Sequence, residues 1–177
     1  MLLLHGDEVC FDFYEKFAIL AGFDLSLACM EIFSLNLLSP LYYVSTEERD
    51  PFGFAGNADG TESEKLYCFE LDENERNSFE PDKERLLGRL VFGGEAAGDL
   101  PGGNEGPREH EGAFELPRGI YLFAQERRIL NKKEIISMAA EIQSEGLWQR
   151  LKPGKLLYLR FLYEDGSWVT QLLRPKI

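Results

Sequence analysis

The sequence predicts an α+β fold in which an antiparallel sheet carries helices packed on one face. Three observations support this prediction: several short segments rich in β-branched and aromatic residues, one well-capped amphipathic helix, and a two-residue hairpin turn at Asp165-Gly166. With 177 residues, the chain is long enough for one domain with a proper core. We expect residues 1–177 to form a single domain. It would consist of an N-terminal half (1–92), a flexible glycine-rich loop (93–112) and a C-terminal strand-helix-strand-strand module (113–177).

The N-terminal half gives a mixed pattern. Apolar residues recur at helical spacing between residues 7 and 33, which predicts two helices. A polar, acidic connection follows at residues 72–85. Residues 93–112 contain seven glycines and two prolines, so they cannot bury enough apolar surface to offset the entropy of ordering them. The predicted strands of this half are Leu41–Val44, Lys65–Leu71 and Leu86–Phe92.

The C-terminal module has the clearest local signals. A turn at Leu116–Gly119 precedes a predicted strand at Ile120–Gln125. Asn131 is placed as a helix N-cap, and Glu134 three residues later completes a capping box. We expect this helix to end at Gly146. Its apolar stripe consists of Ile135, Met138, Ala139 and Ile142.

The hairpin that follows has a register fixed by its turn. Asp165-Gly166 suits a type I′ turn between strands at Leu156–Glu164 and Ser167–Arg174, and this places Arg160 opposite Gln171. Because side chains alternate along a strand, the hairpin has two faces. The first face should pack on the helix and consists of Leu157, Leu159, Phe161, Tyr163, Trp168, Thr170 and Leu172. The second face consists of Leu156, Tyr158, Arg160, Leu162, Val169, Gln171 and Leu173.

The second face is too apolar to face water, so the rest of the chain, a ligand cavity or a protein partner must cover it. Arg160 interrupts this face, and a charge at a buried position must be paired or lie at the edge of a cavity. Gln171 can bond to Arg160 but cannot neutralise it. The acid therefore comes from the acidic first two-thirds of the chain, from a ligand or from a partner.

Composition and motifs narrow the classes of function. The net charge is −12, and the excess of acids lies before residue 116, which argues against nucleic-acid binding. No apolar run approaches the roughly 20 residues needed to cross a membrane. Cys10, Cys29 and Cys68 are too far apart for a zinc site, and free buried thiols predict a cytoplasmic protein. We find no metal-ligand spacing, cofactor loop or catalytic motif, so no cofactor is expected and a non-enzymatic role is favoured.

Residues 116–177 resemble the second half of gyrase-inhibitor-like effector-binding domains. The resemblance is carried by Leu116-Pro-Arg-Gly-Ile-Tyr121 and by the order of elements that follows. It implies two such modules around a pocket for small, often cationic, amphipathic molecules. Where that family usually has a pocket glutamate in the second module, this chain offers Arg160 and Gln171, which suit an anionic or neutral ligand.

Two functions therefore remain open from the sequence. The first is an effector-binding module without its own DNA-binding domain, with a ligand site at Tyr121, Tyr158, Arg160 and Gln171. The second is a protein interaction or homo-oligomerisation domain, which would use the aromatic second face of the hairpin. A concave pocket would favour the first function, and a flat surface patch would favour the second.

Overall fold

A computed structural model describes residues 31–47, 50–54, 64–80, 82–97, 113–152 and 154–176, all within a compact unit, Glu31–Ile177. The helices predicted between residues 7 and 33 lie almost wholly outside the described residues. Only the end of that segment is described, and there Phe33 is part of a strand. The strands are β1 (Phe33–Leu37), β2 (Leu41–Ser45), β3 (Glu64–Glu70), β4 (Arg89–Ala96), β5 (Ala113–Leu116), β6 (Gly119–Glu126), β7 (Leu156–Glu164) and β8 (Ser167–Pro175); the helices are α1 (Glu73–Arg76) and α2 (Lys132–Trp148).

All eight strands join one sheet in the order β1-β6-β8-β7-β3-β4-β2-β5, and every neighbouring pair is antiparallel. The predicted antiparallel sheet and the strand-helix-strand-strand module (β6, α2, β7 and β8) are confirmed. Strands from both sides of the glycine-rich segment pair directly, β3 with β7 and β2 with β5. The described part of the chain is sheet-rich: α1 is a single turn, and α2 is the one long helix there. The described residues therefore place fewer helices on the sheet than the predicted α+β fold has.

The sheet curls so that strands far apart in its order share one core. Phe114 of β5, at one edge, lies with its ring centroid 6.2 Å from that of Tyr158 in β7. Tyr121 of β6 lies 6.1 Å from the same ring. This concave face holds a cluster of buried side chains: Tyr43, Leu66, Cys68, Leu116, Tyr121, Tyr158 and Leu173. The second face of the hairpin is therefore covered by the chain itself, which explains why it is apolar.

The hairpin has the predicted register in every pair from Tyr158–Leu173 to Tyr163–Trp168. Asp165 and Gly166 have φ angles of 51° and 79°, and a type I′ turn requires a positive φ at both central residues. Gly166 adopts this conformation without steric cost. The turn chemistry read from two residues thus fixes which side chains of β7 and β8 share a face.

The start of α2 is as predicted, but its end is not. Asn131 and Glu134 form the complete capping box. The helix then passes through Gly146 and ends at Trp148, so the predicted stop at Gly146 is wrong. Arg150, with φ 56°, supplies the left-handed residue of a Schellman motif in which Leu151 N donates to the carbonyl of Gly146. Gly146 is buried because α2 comes close to β6: a Cβ there would lie 3.2 Å from Leu122 Cδ1.

The glycine-rich segment begins later than predicted. β4 extends through Ala96, so residues 93–96 are strand and not loop, and residues 98–112 lie outside the described residues. Gly94 is a strand glycine for a packing reason, since a Cβ there would come within 2.2 Å of the carbonyl oxygen of Val44 on β2. β1 and β5 were not predicted. Both are short strands at the edges of the sheet.

Candidate functional site

A polar network crosses the concave face beside the apolar cluster. Arg160 on β7 and Gln171 on β8 are opposite each other, and Arg160 Nη1 donates to Gln171 Oε1 at 3.1 Å. Gln171 Nε2 in turn donates to Gln125 Oε1 on β6 at 3.3 Å. The two polar residues that sequence reasoning placed together on the second face are therefore directly bonded.

Glu64, the first residue of β3, supplies the missing acid. Its Oε1 lies 2.6 Å from Arg160 Nε, and the two side chains are 14% and 17% exposed. In the register of β3 and β7, Leu66 is opposite Arg160, so Glu64 is the diagonal neighbour on the same face. The hydroxyl of Tyr43 on β2 donates to the same Glu64 oxygen. The network thus joins five strands. Of the three possible sources of the acid, namely the chain itself, a ligand and a partner, the structure shows the first, because Glu64 belongs to the first two-thirds of the chain.

The electrostatics of this network favour fixed protonation states. Burial lowers the pKa of Arg160, but the hydrogen bond and charge of Glu64 and the contact with Tyr43 outweigh it, so the pKa is raised overall. Burial, aided by Glu64, raises the pKa of Tyr43. Arg160 therefore stays charged and the Tyr43 hydroxyl stays a donor at neutral pH. Arg160 and Tyr43 therefore act as fixed hydrogen-bond donors in this network.

Tyr121 and Tyr158 lie in the packed interior. They are 2% and 1% exposed, and the Tyr121 hydroxyl donates to the carbonyl oxygen of Pro117. Burial raises the pKa of both phenols. The structure therefore brings all four predicted site residues onto the concave face. It places the two tyrosines in the core, where their rings contact each other, and it bonds Arg160 to Gln171.

An open groove adjoins the network at Glu64. It has a volume of about 270 Å³ and lies where β2 begins, β3 begins and β4 ends. Glu64 is the charged residue of its lining, whereas Tyr43 is 1% exposed and holds Glu64 in place from the core. The other lining residues are Pro40, Leu41, Tyr42, Ala96 and Ala97. A second groove of about 260 Å³ runs along β2 and β4, but none of its lining residues is charged. The first groove is therefore the better candidate, because its mixed lining includes one charged residue, Glu64, that is anchored by hydrogen bonds.

Sequence reasoning missed the two residues that matter most here, Tyr43 and Glu64. Tyr43 falls within the predicted strand Leu41–Val44, but no pattern indicated which way it faced. Glu64 is one acid among 31, and only the pairing of β3 with β7 brings it to Arg160. The one indication in the sequence is that a buried Arg160 needs a carboxylate partner, and this does not say which acid supplies it.

Other chemistry is sparse in the described ranges. They contain no group of three or more His, Cys, Asp or Glu side chains that could hold a metal ion. Cys68 is a buried free thiol, and burial, with a smaller contribution from Glu70, raises its pKa to about 12. A thiol held protonated in this way is unreactive. No described helix has the length and apolar character needed to cross a membrane.

No protein-family model matches this chain, and a search of curated proteins gives no significant match. The similarity to gyrase-inhibitor-like effector-binding domains thus rests on residues 116–121 and the element order after them, and it stays a prediction.

Proposed function

We propose that this protein is a non-catalytic module that binds a small amphipathic molecule in the groove lined by Tyr43 and Glu64. The observation that carries the proposal is the groove itself: an open, shallow space with a mixed polar and apolar lining in which Glu64 is held in a fixed position. Tyr43, Glu64, Arg160 and Gln171 hold one another by hydrogen bonds, so the network is preorganised and costs little entropy when a ligand binds.

The charge of the site favours a neutral or zwitterionic ligand. Glu64 is already neutralised by Arg160, so neither charge needs a counter-ion from outside. A ligand hydrogen-bonding to Glu64 would share the carboxylate with Tyr43 and Arg160. The groove's volume of about 270 Å³ lies just below the common range of about 300–1,000 Å³ for ligand pockets, so the ligand should be smaller than most cofactors.

The role of the four residues predicted from the sequence changes within this proposal. Arg160 and Gln171 do not line the groove: Arg160 bonds to Glu64 and holds it in position, and Gln171 bonds to Arg160. Tyr121 and Tyr158 fix the core on which the network rests, and neither lines the groove. A cytoplasmic location remains part of the proposal, supported by the free thiol of Cys68.

Native mass spectrometry of the protein purified from its host tests the proposal. We expect a retained small molecule on the wild-type protein. Ala97→Trp, which fills the groove from its edge, should remove that mass without lowering the melting temperature appreciably. Ala113→Trp is the matched control, because Ala113 is exposed and does not line the groove. Protein without any retained mass, or a mass that survives Ala97→Trp, would contradict the assignment.

The alternative, an interaction or oligomerisation domain using the second face of the hairpin, receives less support. Tyr158 and Leu173 are each 1% exposed within the single chain, so a partner could not reach them without opening the sheet. A partner would have to use another surface. The same native spectra report oligomeric state: a stable dimer with an empty groove would favour the interaction function.

A further inference from the structure

A basic cluster around one buried arginine, Arg174, lies on the other face of the sheet, where α2 packs over β6 and β8. Arg174 follows Leu173 in β8, so its side chain lies on the face opposite the concave cluster that contains Leu173. It is 4% exposed. Within the described residues, its buried Nη2 atom has no hydrogen-bond partner, and none of the ion pairs found there includes it. A buried guanidinium nitrogen without an acceptor is unfavourable, so Nη2 of Arg174 requires a partner.

A second arginine adds to this requirement. Arg76, at the end of α1, also has a buried Nε atom without a partner in the part of the chain described. Burial and then the charge of Arg76 lower the pKa of Arg174 to about 10, in keeping with two like charges near each other. α1 is held here because Gln143 Nε2 donates to the carbonyl oxygens of Glu75 and Arg76, at 2.8 and 2.6 Å.

A small cavity adjoins the cluster. The space in it that is open to the centre of a water-sized sphere is about 10 Å³, so it has room for one water molecule or one monatomic ion. Arg174, Lys152 and Gln143 line it together with apolar residues, and no acid is among them. The cavity is therefore positive, although the chain as a whole has a net charge of −12.

We propose that this cavity binds one monatomic anion of about the size of chloride, with Arg174 as its main ligand. Arg76 and Lys152 contribute positive charge around it. A water molecule there would satisfy Arg174 and the Oε1 atom of Gln143, which is also without a partner among the described residues. Water would nevertheless leave the charge of the buried Arg174 uncompensated, whereas an anion compensates it. Gluconate and phosphate are too large for the space.

Thermal unfolding at constant ionic strength tests this site, with sodium gluconate replaced stepwise by sodium chloride. The wild-type melting temperature should rise with chloride and approach saturation, because an ion that binds only the folded state stabilises it by mass action. Arg174→Met should abolish the rise. Arg85→Met should keep it, since the side chain of Arg85 is 78% exposed and lies beside Asp82. An absent chloride effect, or an equal effect in Arg174→Met, would overturn the proposal.

A second measurement covers the case in which Arg174→Met fails to fold. Wild-type crystals grown in sodium bromide should show an anomalous scattering peak beside Arg174. A density peak there without anomalous signal identifies water and overturns the proposal. Neither experiment depends on the groove at Tyr43 and Glu64, so this site and the proposed function succeed or fail separately.

Discussion

The ion pair between Glu64 and Arg160 gives the sharpest quantitative prediction. Arg160→Met keeps the aliphatic length of the side chain and removes its charge, leaving Glu64 as a carboxylate that is only 14% exposed. Removing one partner of a buried pair costs about 3–5 kcal/mol, and the residual exposure of both groups places this site near 3 kcal/mol. For a domain of this size, that loss lowers the melting temperature by about 6–12 °C.

A double-mutant cycle measures the pair itself. Glu64→Gln should destabilise the protein by a similar amount, because it orphans Arg160. The double variant should be less destabilised than the sum of the two single variants, with a coupling energy of about 2 kcal/mol. Urea unfolding followed by circular dichroism gives each free energy of unfolding.

The exposed pair of Arg89 and Glu70 is the matched control. Its Nη2 and Oε2 atoms are 3.0 Å apart, but the side chains are 79% and 36% exposed, so Arg89→Met should change stability little. Arg160 and Glu64 do not form a buried pair if Arg160→Met unfolds at the wild-type urea midpoint. The same conclusion follows if the losses in free energy of unfolding of the two single variants add up to that of the double variant.

Four further predictions test the fold. Ile142→Ala should cost roughly 2–5 kcal/mol in urea unfolding, because Ile142 is fully buried on the inner face of α2, and a loss below half a kcal/mol would place it at the surface. Gly94→Ala should lower the melting temperature sharply, since its Cβ would come within 2.2 Å of the Val44 carbonyl oxygen; a wild-type value would mean that β2 and β4 are farther apart. Replacing residues 98–112 with six Gly and Ser residues should leave the melting temperature nearly unchanged, because loop-closure entropy depends weakly on length. Six residues also span the roughly 10 Å between β4 and β5, which lie on either side of β2. Failure of this variant to fold would give the segment a structural role. Arg128 and the Asn131 backbone lower the pKa of Glu134, so its stabilising contribution is complete above the ordinary value of 4.5 and is lost as pH falls through the lower folded value. Acid titration of Glu134→Gln should lack that loss, and an unchanged profile would contradict it.

The elements predicted best from the sequence are those specified by neighbouring residues. Asp165-Gly166 determines the turn and the register of β7 and β8, and Asn131 with Glu134 determines the start of α2. In both cases a backbone requirement is met by side chains within four positions of it. Such signals do not depend on the rest of the fold, so they could be read without it.

The elements that were missed depend on tertiary partners. β1 and β5 are short edge strands whose extended conformation comes from pairing with β6 and β2, not from a strong pattern of their own. Gly146 has the local signature of a helix end, but its small size serves contact with Leu122. Gly94 belongs to a predicted loop for a similar reason: in the sequence, a glycine required by the close approach of β2 cannot be told from a glycine that gives a loop its flexibility.

In the candidate site, too, the part that depends on neighbouring residues could be predicted and the part that depends on strand pairing could not. Alternation along β7 was enough to show that Arg160 occupies a buried face and needs an acid, yet nothing local distinguishes Glu64 from the other acids of the chain. The two residues are 96 positions apart, and β3 brings them together only through its pairing with β7. Once Glu64 is the partner, Arg160 no longer needs a charged ligand. Of this network, the groove exposes mainly Glu64, whose charge Arg160 already compensates, so the proposed ligand would be selected by shape and by hydrogen bonds to Glu64. A ligand that binds mainly through a net charge, and whose affinity falls steeply with salt, would be inconsistent with this site.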